Sequence, residues 1–136
     1  LRPHDPPRQE GEVSARARSG WMAAEAFELD DAAPLPLAIQ PAPCGMRSMV
    51  TSALQAQNRS WSEAFVGSGI LAIGAAVSAG IGIGAMVERM APAGCRDVRE
   101  RFALPELPPR DVVLYSAHRD TQTRALINTL SEAIAN

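Results

Sequence analysis

Residues 67–72 read Gly67-Ser68-Gly69-Ile70-Leu71-Ala72, a G-x-G-x-x-A pattern, and Glu88 stands 21 residues after Gly67. In a dinucleotide-binding fingerprint, glycines at this spacing let the backbone approach a pyrophosphate at a helix N-terminus, and the acid takes a ribose hydroxyl. On that reading the chain is a fragment of a dinucleotide-binding oxidoreductase using Gly67, Gly69, Ala72 and Glu88. A Rossmann domain, however, opens with this unit and adds further βα units, whereas here the pattern sits mid-chain in an Ala- and Gly-rich stretch. The same residues have a humbler use. A helix starting at Ile70 presents free N–H groups and the positive end of its dipole, with the Ser68 hydroxyl beside them, and such a turn holds a carboxylate or another small anion. The plain alternative is a helix capped by Ser68 and glycines that only pack closely.

Other chemistries lack their residues. Gly67-Ser68-Gly69 is not the G-x-S-x-G of a hydrolase, and His4 and His118 fall in loop or hinge segments with no partner at sequence level. All 13 cationic side chains are Arg, so a P-loop, which needs its Lys, is excluded. Cys44 and Cys95 form neither a CxxC pair nor a Cys/His cluster, which argues against a zinc site or a disulfide framework and for a reducing, cytoplasmic setting. With a net charge of −2 and scattered Arg residues there is no basic face to neutralise phosphates, so direct DNA binding by this chain is not expected. No catalytic, metal-ligating or cofactor-binding residue is assigned.

The elements that position these residues follow from periodicity. At 136 residues, 46% hydrophobic and 21% charged, the chain is about one globular domain. Three Phe, two Trp and one Tyr leave most of the core to Ala, Leu, Ile, Val and Met. Residues 1–12, rich in Pro and charge, read as an exposed lead-in with no apolar run and hence no signal peptide, and the absence of an initiator Met is read as a start inside something larger. Residues 13–24 read as partly extended, with Trp21 and Met22 the best core candidates. Asp30 to Pro34 reads as a turn and Leu35 to Gln40 as a buried strand. From Cys44 to Gln57, Met46, Met49, Val50, Ala53 and Leu54 make the apolar stripe of a helix. Trp61 to Val66 predicts a strand, Ile70 to Ala79 a helix ended by Gly80, and Ile81 to Val87 a strand, together a βαβ unit with a parallel pair. Leu104 to Pro109 is a stiff connector into a β-branched strand, Asp111 to Tyr115. The stretch from Thr121 to Ala135 predicts a helix with Asp120 as N-cap and Leu126, Ile127, Leu130 and Ile134 on one face.

Phe65 to Val87 also runs 23 residues without a charge, long enough to span a bilayer, and Gly80 to Gly84 spells GxxxG. Six glycines and two serines dilute that stretch, and Gly80-Ile81-Gly82-Ile83-Gly84 alternates with period two, as a buried strand does. A small membrane protein spanning at 65–87 is therefore kept only as a second alternative.

The order of segments resembles the effector-binding domain of LysR-type transcriptional regulators, over about Glu12 to Ile134. The resemblance is carried by Ala15-Arg16-Ala17-Arg18 leading to Trp21, by Pro34-Leu35-Pro36-Leu37-Ala38-Ile39, by the Cys44-to-Gln57 helix and by Trp61. It continues through Val66-Gly67-Ser68-Gly69-Ile70-Leu71, Ala75-Ala76-Val77-Ser78-Ala79-Gly80-Ile81-Gly82-Ile83, Leu104-Pro105-Glu106-Leu107-Pro108 and Val112-Val113-Leu114-Tyr115. Ser19-Gly20 departs from the bulky apolar residues common before the Trp, and Val87-Glu88-Arg89-Met90 replaces the more usual Leu-Leu-Pro.

The resemblance implies an α/β, periplasmic-binding-protein-like (type 2) lobe, a parallel or mixed sheet flanked by helices, with the first lobe incomplete. Residues 1–19 become the lead-in and first crossover, 20–115 the second lobe, and 116–136 the second crossover and C-terminal helix. It implies a non-enzymatic, cytoplasmic sensor of a small-molecule effector, anions included, with no cofactor and no membrane. DNA would be reached only through a winged-helix domain not found in this chain, and self-association is expected. In relatives the turn before the helix of this βαβ unit contributes polar contacts to the effector, which transfers to Gly67, Ser68 and Gly69.

Overall fold

A computed structural model describes residues 11–115 and 120–135, so His4 and His118 lie outside the described residues. In chain order the elements are β1 (Gly11–Ala17), β2 (Ser19–Ala24), β3 (Leu35–Ile39), α1 (Gly45–Ala56), β4 (Trp61–Val66), α2 (Ile70–Ser78), β5 (Gly84–Val87), β6 (Cys95–Asp97), β7 (Arg110–Tyr115) and α3 (Thr121–Ala135). A 3-10 turn, Glu88–Met90, follows β5. These elements fall into two compact units, one from Arg18 to Pro108 and one from the two terminal stretches.

In the larger unit β3 and β4 pair in parallel, Leu35 opposite Trp61 and Ile39 opposite Val66, joined through α1. β2 pairs antiparallel with β5 on one side and with β6 on the other. The two sheets meet at a single parallel bridge between Leu37 and Ile83. Strand alternation sends successive side chains to opposite faces. Leu35, Leu37 and Ile39 therefore join Trp21, Ala23, Val50 and Leu54 in one core cluster, while Ala38 joins Met22, Ile73, Ala76 and Val77 in another. Hence α1 and α2 cover opposite faces of β3. The stripe read on α1 is the face that packs, with Val50 and Leu54 buried and Met46, Met49 and Ala53 packed against the cluster.

The stop at Gly80 is as expected. Its φ is +75°, its N–H donates to Val77 O at 3.0 Å, and the next N–H, of Ile81, donates to Ala76 O at 3.1 Å, which is a Schellman closure. Because the chain turns there, α2 has only 9 residues, roughly 13 Å at 1.5 Å per residue, against about 30 Å of bilayer core. No helix among the described residues is long and apolar enough to cross a membrane, and the single spanning helix considered for 65–87 is not formed.

Four expectations are corrected. The parallel partner of β4 is β3, not the strand after α2, and that strand begins at Gly84 instead of Ile81. After α2 the chain reaches the far side of β3, where Ile83 N–H donates to Pro36 O and Ala38 N–H to Ile83 O, both at 2.9 Å. Gly82 allows this approach, since a Cβ there would lie 2.8 Å from the Pro36 carbonyl oxygen. Second, Gly11 and Glu12 belong to β1 and not to a lead-in. Third, Ser68 does not cap α2. The N-cap is Gly69, at φ +87° and ψ 157°, and no side chain caps the helix. Fourth, β6 is a strand where the sequence reading has only a break, because its charged pair Arg96-Asp97 carries no apolar alternation.

In the smaller unit β1 and β7 pair antiparallel, with a bulge between Val13 and Ala15, and α3 lies against β1. Asp120 caps α3 as expected: its carboxylate accepts the Thr123 N–H at 2.8 Å and the Thr123 hydroxyl at 2.7 Å.

Candidate functional site

β3 and β4 are neighbours whose following helices leave toward opposite faces. Their carboxyl ends form a topological switch point, where open α/β sheets bind ligands. The Gly67–Gly69 turn sits here, held by the Gly67 N–H, which donates to Ile39 O at 3.2 Å. Gly69 occupies a backbone region open essentially to glycine alone, and through it the chain turns directly from β4 into α2. Ser68 is exposed.

Both helices start at this edge. The first bond within α2 runs from Ile73 N–H to Gly69 O at 3.2 Å, and Ser48 N–H donates to Cys44 O at 3.0 Å at the start of α1. The amides ahead of these bonds have no intrahelical acceptor. Neither helix has a side-chain cap or an acidic residue in its first turn. Two dipole ends therefore remain without a covalent anion, an arrangement that favours an incoming anionic or acceptor group.

A cavity of about 30 Å³ opens at the end of β3, lined by Gln40, Cys44 and Arg47 together with aliphatic groups that include Val50, Ile70, Ile73 and Ile83. Gly67, Ser68 and Gly69 do not line it; α2 reaches it through Ile70 and Ile73. Arg47 stands in the first turn of α1, where the dipole opposes a cation. It is held there by two acceptors: Nη1 donates to O of Gln40, the residue after β3, at 3.0 Å, and Nη2 pairs with the Glu63 carboxylate on β4. The guanidinium also lies 5.8 Å from the centre of the Trp61 ring. Sequence reasoning missed Gln40, Cys44, Arg47 and Glu63. The legible signal was a cation placed against the dipole in a helix's first turn.

Glu88, the acid of the dinucleotide reading, is exposed and opens the 3-10 turn after β5, a strand that runs antiparallel to β2. β3 lies between that segment and β4, so Glu88 is not on the strand next to the Gly67 turn, and the geometry of a dinucleotide fingerprint is not formed.

A mixed sheet with helices on both faces and a switch-point crevice is a periplasmic-binding-protein-like architecture. The LysR substrate binding domain family matches residues 3–135, and the chain belongs to that family, whose domains are the effector-sensing parts of transcriptional regulators. Solved structures agree in fold. HinK, a LysR family transcriptional regulator from Pseudomonas aeruginosa, is similar at 16% identity and a TM-score of 0.67, covering 99% of this chain and 51% of its own. The regulatory domain of Synechocystis PCC6803 CcmR in complex with 2-PG is similar at 14% identity and a TM-score of 0.62, covering 95% and 70%. The effector binding domain of QuiR in complex with shikimate is similar at 14% identity and a TM-score of 0.56, covering 94% and 66%. The chain thus spans about half the length of HinK and about two thirds of the isolated effector domain of QuiR.

Proposed function

We propose that this chain senses a small-molecule effector for a LysR-type regulator and that Gly67, Ser68 and Gly69 hold one polar group of it, an anion being favoured. The observation that carries this reading is the pair of helix N-termini at adjacent strand ends, without a side-chain cap and without a first-turn acid. The small-molecule complexes of the CcmR and QuiR domains support it. The chain binds without catalysing, in keeping with the regulatory role of LysR substrate binding domains. Residues 20–115 act as the second lobe, with 1–19 and 116–136 as crossovers to a first lobe. The regulator works in the cytoplasm as a homo-oligomer and reaches DNA through a winged-helix domain.

The test is Ser68→Ala in the complete regulator, with its effector identified by a thermal-shift screen of small carboxylates and their neutral amides. A hydrogen bond to a charged group contributes about 1.5–3 kcal/mol. The variant is therefore expected to bind roughly ten- to a hundredfold more weakly, at about 1.4 kcal/mol per tenfold. Unchanged affinity in a folded variant would reduce Ser68 to a turn residue.

A further inference from the structure

The geometry points to Arg47 as the residue that selects an acidic group on the effector, its guanidinium exchanging the Glu63 carboxylate for the incoming one. This deepens the proposed function and rests on it. Four observations carry the assignment. Arg47 is the one cation among the residues lining the cavity at the end of β3, and its side chain is 19% exposed. The rest of the lining is mainly aliphatic, where an acid without a cation would be poorly solvated. At about 30 Å³ the cavity has room for one small group of an effector. Finally, Glu63 is 43% exposed on β4, so its carboxylate can return to water when another anion takes its place.

The anchor to Gln40 O keeps the guanidinium in place during the exchange, because it uses Nη1 while Glu63 uses Nη2. A guanidinium has five N–H donors in a planar fork, which suits the replacement of one carboxylate by another. The dipole of α1, opposed to Arg47, favours the same anion. Arg47 thereby discriminates acids from their neutral analogues, and Glu63 sets the threshold by competing.

The experiment uses the full chain and acetate, a probe of the cavity's size, with acetamide as neutral control, followed by NMR at constant ionic strength. Acetate is expected to give saturable shifts at the Arg47 side-chain N–H groups, the Gly45 to Arg47 amides and the Trp61 indole, and acetamide none. Glu63→Gln should tighten acetate binding about two- to fivefold, the factor expected for loss of a competing ion pair that is solvated on the Glu63 side. Arg47→Gln, if folded by circular dichroism, should abolish saturation; if it fails to fold, Glu63→Gln decides. Shifts linear in acetate, an equal response to acetamide, or no tightening in Glu63→Gln would overturn the assignment. Saturable shifts at Ser68 and Gly69 with Arg47 silent would overturn it and leave the proposed effector site standing; the reverse pattern would remove Ser68 and keep Arg47.

Discussion

The indole N–H of Trp21 donates to the carbonyl oxygen of Pro105 at 2.7 Å, joining residues 84 apart in the chain. Trp21 is fully buried, and the connector that supplies Pro105 adds Leu104 and Leu107 to the same core cluster. The bond therefore ties β2, the strand shared by β5 and β6, to the last segment of the larger unit.

Trp21→Phe should strand that carbonyl and leave a void where the second ring was. The void together with a part-buried acceptor left without its donor should cost about 1–3 kcal/mol. The urea midpoint of the variant should fall with an unchanged slope. A midpoint equal to that of the parent would mean that water replaces the indole at Pro105.

Gly82→Ala should break the bridge between β3 and the chain after α2. The added methyl would meet the Pro36 carbonyl oxygen at 2.8 Å, a backbone atom that cannot swing aside. Overpacking of this kind costs about 1–3 kcal/mol. The expected signature is early hydrogen exchange at the Ile83 and Ala38 amides, which make the two 2.9 Å bonds beside Gly82. Full protection at both would show that the strands part without cost.

The cap of α3 should fail in acid. The Thr123 hydroxyl, then the Thr123 amide, hydrogen-bond the Asp120 carboxylate and hold its pKa below the usual carboxylate value. A carboxyl depressed in the folded state contributes its stabilisation above its unfolded pKa and loses it as pH falls through the lower, folded one. Thr123 amide shifts followed from neutral pH downward should thus move only below the ordinary carboxylate range. Asp120→Asn should keep the cap without that pH dependence, since Asn caps as well as Asp, whereas Asp120→Ala should lose it at every pH. A pH-dependent Thr123 shift persisting in Asp120→Asn would assign the titration elsewhere.

The exposed part of the α3 stripe, Leu126 and Leu130, should behave as an uncovered surface. Leu126 is 60% exposed and Leu130 44%, and each such side chain left in water forgoes about 1.5–3 kcal/mol relative to burial. The isolated chain should either self-associate through this helix or exchange the amides of 121–135 faster than those of 70–78. A monomer in which both helices are equally protected would show that the stripe is covered.

Much of this molecule is legible because its signals are local. The α1 stripe needs only a 3.6-residue period, Gly80 only the left-handed conformation that closes a helix, and Asp120 only a carboxylate three residues ahead of an amide. Each acts within one or two turns of chain, so the residue types suffice. The Gly67–Gly69 turn is legible for the same reason, although its cap is not: Gly69 takes a conformation that carries Ser68 out to solvent and leaves the amides of α2 open.

The amino-acid sequence by itself thus determined most of the strands and all three helices, where most of them stop and which faces are apolar. Tertiary structure alone decided the partners. Backbone donors and acceptors are alike at every residue but proline, so nothing in the sequence of β4 states that it pairs with β3, or that Ile83 reaches the other side of that strand past Gly82. The same holds for the crevice. Arg47 and Glu63 are 16 residues apart on a helix and a strand, and they meet beside a cavity only because α1 and α2 leave the ends of neighbouring strands toward opposite faces.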